Sequence, residues 1–233
     1  MADAHRMQVT RVQDFGRVKV FRLESSNGSL PFLSGQYVMV SLDGVAFRDR
    51  VVKRSYSIAS SPHDSCVELC VARVEGGLLT PHLHELRTGD WVNVEGPLGR
   101  FILDKPYPKD LVFVAGGTGI APIRSMIRTL AAEHADSRIR LFYGIRTPKE
   151  FLFEEELTGY VRDGFELTAS VSEQGENGWP GERGYVTEAL RKHISRWSGE
   201  AAYVCGPPPM VSATMPLLKE IGFPDNAVKK EQW

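Results

Sequence analysis

"VFVAGGTGIAPIRSMI", residues 112–127, decides how the second half of this chain folds. An apolar run ends in Gly116-Gly117-Thr118-Gly119, and a helix-like segment follows. A parallel strand that ends in such glycines leaves backbone N–H groups free at a helix N-terminus, a setting that suits phosphate. The spacing departs from G-x-G-x-x-G, because Pro122 stands where the third glycine belongs. Pro122 suits the first turn of a helix, where its missing N–H costs nothing. The loop alone leaves two readings open: a nucleotide loop, or a plain glycine turn between strand and helix.

Downstream the pattern alternates. Helices are expected over 122–134, 186–196 and 209–221, with a helical acidic segment over 150–160. Strands are expected over 139–143, 165–171 and 201–205. Such alternation implies a doubly wound α/β domain with a parallel sheet. An ordinary NAD fold carries an acid near the end of its second strand. Here that strand ends Tyr143-Gly144-Ile145-Arg146, without one. "YVCGPPPM", residues 203–210, puts Cys205 and Gly206 at a second strand end, where doubly wound sheets bind ligands. A buried thiol before a Pro-rich turn is the plain alternative.

Upstream the grammar differs. Short strands at 17–23, 36–42, 67–74 and 91–94 are punctuated by turn signals such as Gly76-Gly77 and Thr88-Gly89-Asp90. That rhythm predicts an antiparallel β-barrel or sandwich, interrupted by one helical patch over 80–87. "DKPYPKD", residues 104–110, reads as the linker. Two domains are expected, 1–105 and 110–233, within the 233 residues.

The totals restrict partners. A net charge of −1 points to neither nucleic acid nor an anionic membrane. No stretch approaches the roughly 20 apolar residues of a membrane span, and no secretory signal is visible. The three cysteines, Cys66, Cys70 and Cys205, argue against a disulfide framework and fit a reducing compartment, so the cytoplasm is expected. They also lack the four-thiolate spacing of a plant-type [2Fe–2S] cluster.

"KRSYSIASSP", residues 53–62, offers a guanidinium and an aromatic ring on one strand face (Arg54, Tyr56) and a hydroxyl on the other (Ser57). In "VARVEGGLLTPHLHEL", residues 71–86, Gly76 and Gly77 precede a helix start, a second anion-binding arrangement.

In chain order, "RSYSIAS", "VEGGLLTPHL", "VEGPLGRF", "VAGGTGIAPIRSM", "YGIRTPKEFLFEEEL" and "YVCGPPPM" resemble the ferredoxin–NAD(P)H reductase family of flavoproteins. The motifs span nearly the whole chain. The resemblance implies an FAD-binding barrel followed by a nicotinamide-binding α/β domain, without an iron–sulfur domain. It implies that Arg54 binds flavin phosphate, Tyr56 stacks on the isoalloxazine and Ser57 hydrogen-bonds near flavin N5. Gly77, Leu78, Leu79 and Thr80 would hold the pyrophosphate. Gly117, Thr118 and Gly119 would bind the phosphates of NAD(P), with Gly144, Arg146, Glu173, Gly206 and Met210 also at that nucleotide. Cys205 would lie against the nicotinamide. "VKKEQW", residues 228–233, matches a Glu-x-aromatic stretch of relatives, so Glu231 is expected at the reacting centre and Trp233 as a cover on the flavin. A frayed tail is the alternative.

The expected activity is FAD-dependent: hydride from NADH (or NADPH), then single electrons to a separate ferredoxin or flavodoxin. A monomer is expected. NADH is favoured because "ASVSEQGENGW" follows Ser172 with Glu173 and carries Glu176, where NADPH-using relatives have Ser-Arg. Arg146 and Arg183 remain able to reach a phosphate. The alternatives are a flavin reductase that releases reduced flavin, suggested by "GWPGERG", and a flavin-bearing subunit of a larger complex.

Other groups receive plainer readings. His82 and His84, two apart on a helix, do not share a face and make a metal site unexpected. They are expected to face solvent or the flavin. The carboxylates of "FLFEEEL" read as a solvated helix face, and Arg100 as a turn residue. Arg48, Arg50, Lys53 and Lys229 form a candidate basic patch for an acidic acceptor.

Overall fold

The computed structural model describes residues 4–26, 28–161, 164–173, 179–196 and 199–232. By proximity along the backbone the chain divides into two compact units. The first comprises Met1–Leu103 with Arg124–Glu133, and the second comprises Asp104–Ile123 with His134–Trp233.

The first unit contains β1 (Ala4–Phe15), β2 (Val18–Glu24), β3 (Tyr37–Ser41), β4 (Ala46–Phe47), β5 (Arg50–Val51), β6 (Arg54–Ser57), β7 (Val67–Ala72), α1 (Thr80–Glu85) and β8 (Trp91–Leu98). Six of these strands form one sheet in the order β6-β3-β8-β1-β2-β7, with each neighbouring pair antiparallel. The sheet curls back on itself: an isolated bridge joins Ile58 to Leu69, and Ala59 N–H donates to Glu68 O at 2.7 Å. β4 and β5 form a separate hairpin. Inward-facing side chains alternate along the strands and meet in one core, with Val9, Val38, Ile58 and Val94 wholly buried. β4 and β5 are missing from the expected set, and so is β1. Its sequence AHRMQVTRVQDF mixes charges among apolar residues, and few of its positions are fully buried.

The second unit begins with β9 (Asp110–Gly116), a 3₁₀ turn at Gly117–Gly119 and α2 (Ile120–Ala132). It continues with β10 (Arg138–Ile145), a 3₁₀ turn at Pro148–Glu150, α3 (Glu154–Gly159), β11 (Phe165–Val171), β12 (Glu182–Arg183) and α4 (Val186–His193). It closes with β13 (Ala201–Gly206), α5 (Pro208–Glu220) and β14 (Val228–Gln232). All six strands run parallel in the order β12-β11-β10-β9-β13-β14. The central strands β9 and β13 are near-continuous apolar runs, as a sheet covered on both faces requires. Asp104 is fixed to this sheet: its N–H donates to the Tyr203 hydroxyl at 3.0 Å, and its carboxylate pairs with Lys229. The acidic segment is shorter than expected, because Phe153 at φ 60° delays the helix until Glu154. Its three glutamates then occupy the first turn, where the helix dipole favours negative charge. No helix of the described residues is long and apolar enough to cross a membrane.

Candidate functional site

In the first unit, β6 carries Arg54, Tyr56 and Ser57 beside β3, with Val38 opposite Tyr56 and Tyr37 opposite Ser57. Arg54 is exposed and donates to its neighbour's carbonyl, Lys53 O, at 2.8 Å. Tyr56 leans on the barrel core, and its hydroxyl is buried without a hydrogen-bond partner among the described residues. Burial pushes its pKa up to about 12, partly offset by the Arg54 charge. A buried, unpaired hydroxyl costs about 1–3 kcal/mol, so this one calls for an acceptor or donor that the described residues do not supply. A polar cofactor against β6 meets that requirement.

The turn after β7 is built by Thr80. Its hydroxyl accepts from Val74 N–H at 3.0 Å and donates to Val74 O at 3.3 Å, clasping residues 74–80 into a loop. Gly77 sits inside that clasp: a Cβ there would lie 2.9 Å from Thr80 Oγ1 and 3.0 Å from Val74 O. Thr80 is thus a brace for the Gly76-Gly77 turn, and Leu79 is buried beneath it. His84 corrects an expectation. It is buried rather than solvent-facing, with Nε2 2.9 Å from Val71 O, and its carbonyl accepts from Lys19 Nζ at 2.8 Å. Burial lowers its pKa, partly opposed by the Val71 hydrogen bond. His84 is therefore a neutral strut between α1 and β7.

In the second unit, the carboxyl ends of β9, β10, β11 and β13 gather Gly116 to Gly119, Gly144 to Arg146, Ser172 and Glu173, and Cys205 and Gly206. Gly117 has φ +53°, a conformation that disfavours side chains, and its carbonyl is held by the Tyr143 hydroxyl at 3.0 Å. Gly116 and Gly206 have a different reason. A Cβ at Gly116 would lie 2.4 Å from Met210 Sδ, and one at Gly206 2.7 Å from Met210 Cε. Met210 thus seals the pair of glycine strand ends from above. At Gly144 the obstruction would be Val186, 2.9 Å from a Cβ.

Cys205 is fully buried, in register with Ala115 on one side and Glu231 on the other. Its Sγ lies 3.9 Å from Glu231 Oε2. Burial, and then the Glu231 charge, raise the thiol well above its ordinary pKa, so it remains an S–H donor. Glu231 stands on an ordered edge strand, and residues 228–232 are not frayed. Arg146 is clasped by Glu150, which holds the guanidinium's pKa up, and Glu173 N–H donates to Arg146 O at 2.9 Å. Trp233 and Glu176 lie outside the described residues. Of the candidate basic patch, Lys53 pairs with Glu95 and Lys229 with Asp104, whereas Arg48 and Arg50 flank the tip of the β4–β5 hairpin.

Sequence reasoning missed Tyr143, Glu150 and the brace formed by Thr80. Only Glu150 carried a signal: Arg146 and Glu150 are four apart, the spacing of a local ion pair. Among the described residues, no three His, Cys, Asp or Glu side chains gather as a metal-binding group.

Two domain families match the chain in succession. The oxidoreductase FAD-binding domain family matches residues 7–102, and the oxidoreductase NAD-binding domain family matches residues 113–215. The reductase component of phenol 2-monooxygenase from Pseudomonas sp. (strain CF600) is 36% identical over 199 residues, covering 82% of this chain and 54% of that protein. Ferredoxin–NADP reductase B of Sorangium cellulosum is 34% identical over 229 residues, covering 93% of this chain and 91% of that protein. The crystal structure of the Amycolatopsis cytochrome P450 reductase GcoB superposes with a TM-score of 0.87 at 27% identity, covering 100% of this chain and 71% of that one. The chain spans about half the length of the phenol hydroxylase relatives it matches, 54% and 58%. A curled antiparallel sheet with a buried orphan hydroxyl, a parallel sheet with glycine-lined strand ends, and these matches in the same order lead to one conclusion: the chain belongs to the ferredoxin–NAD(P)H reductase family of flavoproteins.

Proposed function

We propose that this chain is an FAD-dependent oxidoreductase that takes hydride from NADH and delivers single electrons to a separate acceptor. The observation that carries this reading is the Cys205–Glu231 contact, a neutral thiol and a carboxylate at the glycine-lined edge of a nicotinamide-binding sheet. Bound FAD would supply the conversion between a two-electron hydride donor and a one-electron acceptor.

The residues divide the remaining work. Arg54 binds flavin phosphate, Tyr56 lies on the ring system and satisfies its hydroxyl there, and Ser57 donates near flavin N5. The turn of Gly77, Leu78 and Leu79, braced by Thr80, holds the pyrophosphate. Gly117, Thr118 and Gly119 present N–H groups to the nicotinamide dinucleotide. Gly144 and Gly206 keep strand ends bare, and Met210 supports the floor. Cys205 presses an uncharged sulfur on the nicotinamide, and Glu231 accepts its S–H. Such a pair orients the ring and excludes water without moving a proton. Glu173 supports NADH over NADPH, since its carboxylate repels a 2′-phosphate and accepts from ribose hydroxyls.

The acceptor is a ferredoxin, a flavodoxin or an oxygenase component. The names of the relatives, a ferredoxin–NADP reductase and a monooxygenase reductase component, support this range. Arg48 and Arg50 on the β4–β5 hairpin support an acidic docking partner. The chain works as a monomer in the cytoplasm, where its three buried free cysteines stay reduced.

Gel filtration of the purified protein, followed by stopped-flow mixing with NADH and with NADPH, tests the reading. Retained FAD, reduced at least tenfold more efficiently by NADH and reoxidised by an added ferredoxin or flavodoxin, supports it. Loss of flavin on the column, with reduced flavin released into solution, overturns it in favour of a flavin reductase.

A further inference from the structure

Arg146 ends β10 at the nucleotide edge of the second unit, yet its guanidinium is already engaged. Its Nη2 donates to Glu150 Oε1 at 2.6 Å and its Nε to Glu150 Oε2 at 3.2 Å. This two-point geometry is the one a planar guanidinium offers to a carboxylate or a phosphate, and the Nε–Nη2 edge that Glu150 occupies is closed to a second anion. Glu150 is the less exposed partner, with 19% of its side chain accessible against 45% for Arg146.

The backbone holds Glu150 in place. Its N–H donates to Thr147 O at 3.0 Å, and the next N–H, of Phe151, donates to Pro148 O at 3.0 Å. Phe151 then anchors the segment: it is buried and meets Tyr143 edge-on, with centroids 5.4 Å apart. Tyr143 in turn holds the Gly117 carbonyl. The carboxylate that engages Arg146 is therefore tied to the phosphate loop. A second carboxylate, that of Glu173, extends from the neighbouring strand end, where its N–H is held by Arg146 O.

A 2′-phosphate adds about two negative charges where NADH carries a hydroxyl, and it binds best to a guanidinium with donors to spare. We infer that Glu150 is a specificity-determining residue: by occupying the Nε–Nη2 edge of Arg146 and countering its charge, it weakens that guanidinium's hold on a 2′-phosphate and so favours NADH. The inference rests on the nicotinamide-binding reading of the second unit. It shifts part of the selectivity from Glu173, which repels, to Glu150, which keeps an attractive group occupied. Negative selection of this kind leaves the ribose hydroxyls of NADH unaffected.

Titration calorimetry with adenosine 2′,5′-bisphosphate and with ADP tests this without relying on turnover. Glu150→Gln keeps the side-chain volume and removes the charge. The expected result is binding of the bisphosphate about tenfold tighter, the scale of one hydrogen bond to a charged group, with a smaller change for ADP. Catalytic efficiency with NADPH should rise by a similar factor. Adding Arg146→Ala to Glu150→Gln should abolish the gain. Should Glu150→Gln fold poorly, Glu150→Asp, which draws the carboxylate back from the guanidinium, is expected to give a smaller gain of the same sign. Unchanged bisphosphate affinity in the well-folded variant, or a gain that survives the loss of Arg146, overturns the inference. Wild-type protein that binds neither nucleotide overturns the site reading itself, and this inference with it. Wild-type protein that binds ADP beside an unresponsive variant overturns the inference alone.

Discussion

Cys205 and Glu231 sit opposite each other on β13 and β14, with Sγ 3.9 Å from Oε2. A thiolate beside that carboxylate would be a buried like-charge pair, so the sulfur stays protonated. The role proposed for Cys205 is therefore steric and weakly polar, not nucleophilic. Cys205→Ala should lower kcat by roughly ten- to a hundredfold, with the KM for NADH changing by less than about threefold. Native protein should resist iodoacetamide at pH 8, whereas urea-unfolded protein is alkylated. An equal loss in kcat and rise in KM would mean that Cys205 only shapes the site.

Tyr56 yields a test in which stability and binding move apart. Its hydroxyl is buried and unpaired among the described residues. Tyr56→Phe removes that liability, so the flavin-free protein should be as stable as wild type, or more stable by about 1 kcal/mol. Affinity for FAD should fall about tenfold. Urea denaturation of the flavin-free form and a fluorescence titration with FAD measure the two effects.

Gly116 and Met210 should behave as a coupled pair. Gly116→Ala brings a methyl group to 2.4 Å from Met210 Sδ and should destabilise the protein by about 1–3 kcal/mol. Met210→Ala should leave a cavity and destabilise the protein by about 2 kcal/mol on its own. The double variant should be less destabilised than the sum, because the second change makes room for the first. Thermal unfolding of the four proteins gives the coupling, and strict additivity would contradict the packing described.

His84 predicts a pH effect. Its folded pKa is lowered from 6.5, so below that value the unfolded chain takes up a proton more readily. Stability from this group is present above pH 6.5 and is lost as pH falls through it toward the folded pKa. The urea midpoint should therefore decline between about pH 7 and 5, and decline less in His84→Gln. The Val71 carbonyl remains a hydrogen-bond acceptor for that variant's amide.

What the sequence disclosed follows from burial. β9 and β13 were legible because central parallel strands are continuous apolar runs ended by glycine. β14 was not, because VKKEQ carries charge at three of five positions and is a strand only through backbone pairing with β13. Glu231 was accessible through family likeness alone. His82 and His84 were given one reading, facing solvent or the flavin, although two residues two apart on a helix do not share a face. The single turn of α1 instead presses one of them on β7. The closure of the 74–80 loop by the Thr80 hydroxyl was not legible, because the residue pair it joins is set by the turn and not by a sequence pattern. Glu150 opens the segment read as helical and acidic, and its four-residue spacing from Arg146 becomes an ion pair through the chain path after β10.

The ion pairs at the end of α2 bear on how such proteins can be recombined. Arg124, only 4% exposed, donates to Glu68 Oε2 at 2.6 Å and to Ala59 O at 2.9 Å, and Arg128 reaches Asp64 at 2.9 Å. Residues 124–133 thus belong to the first unit although they follow the glycine loop of the second. A chimera spliced in the Pro-rich linker would separate Glu68 from its arginine and strand one charge in the interior, at a cost of about 3–5 kcal/mol. Exchangeable halves therefore do not end where the chain crosses over. Glu68 and Arg124 should travel together through descent, so a graft that carries one across without the other inherits an interior charge with no partner.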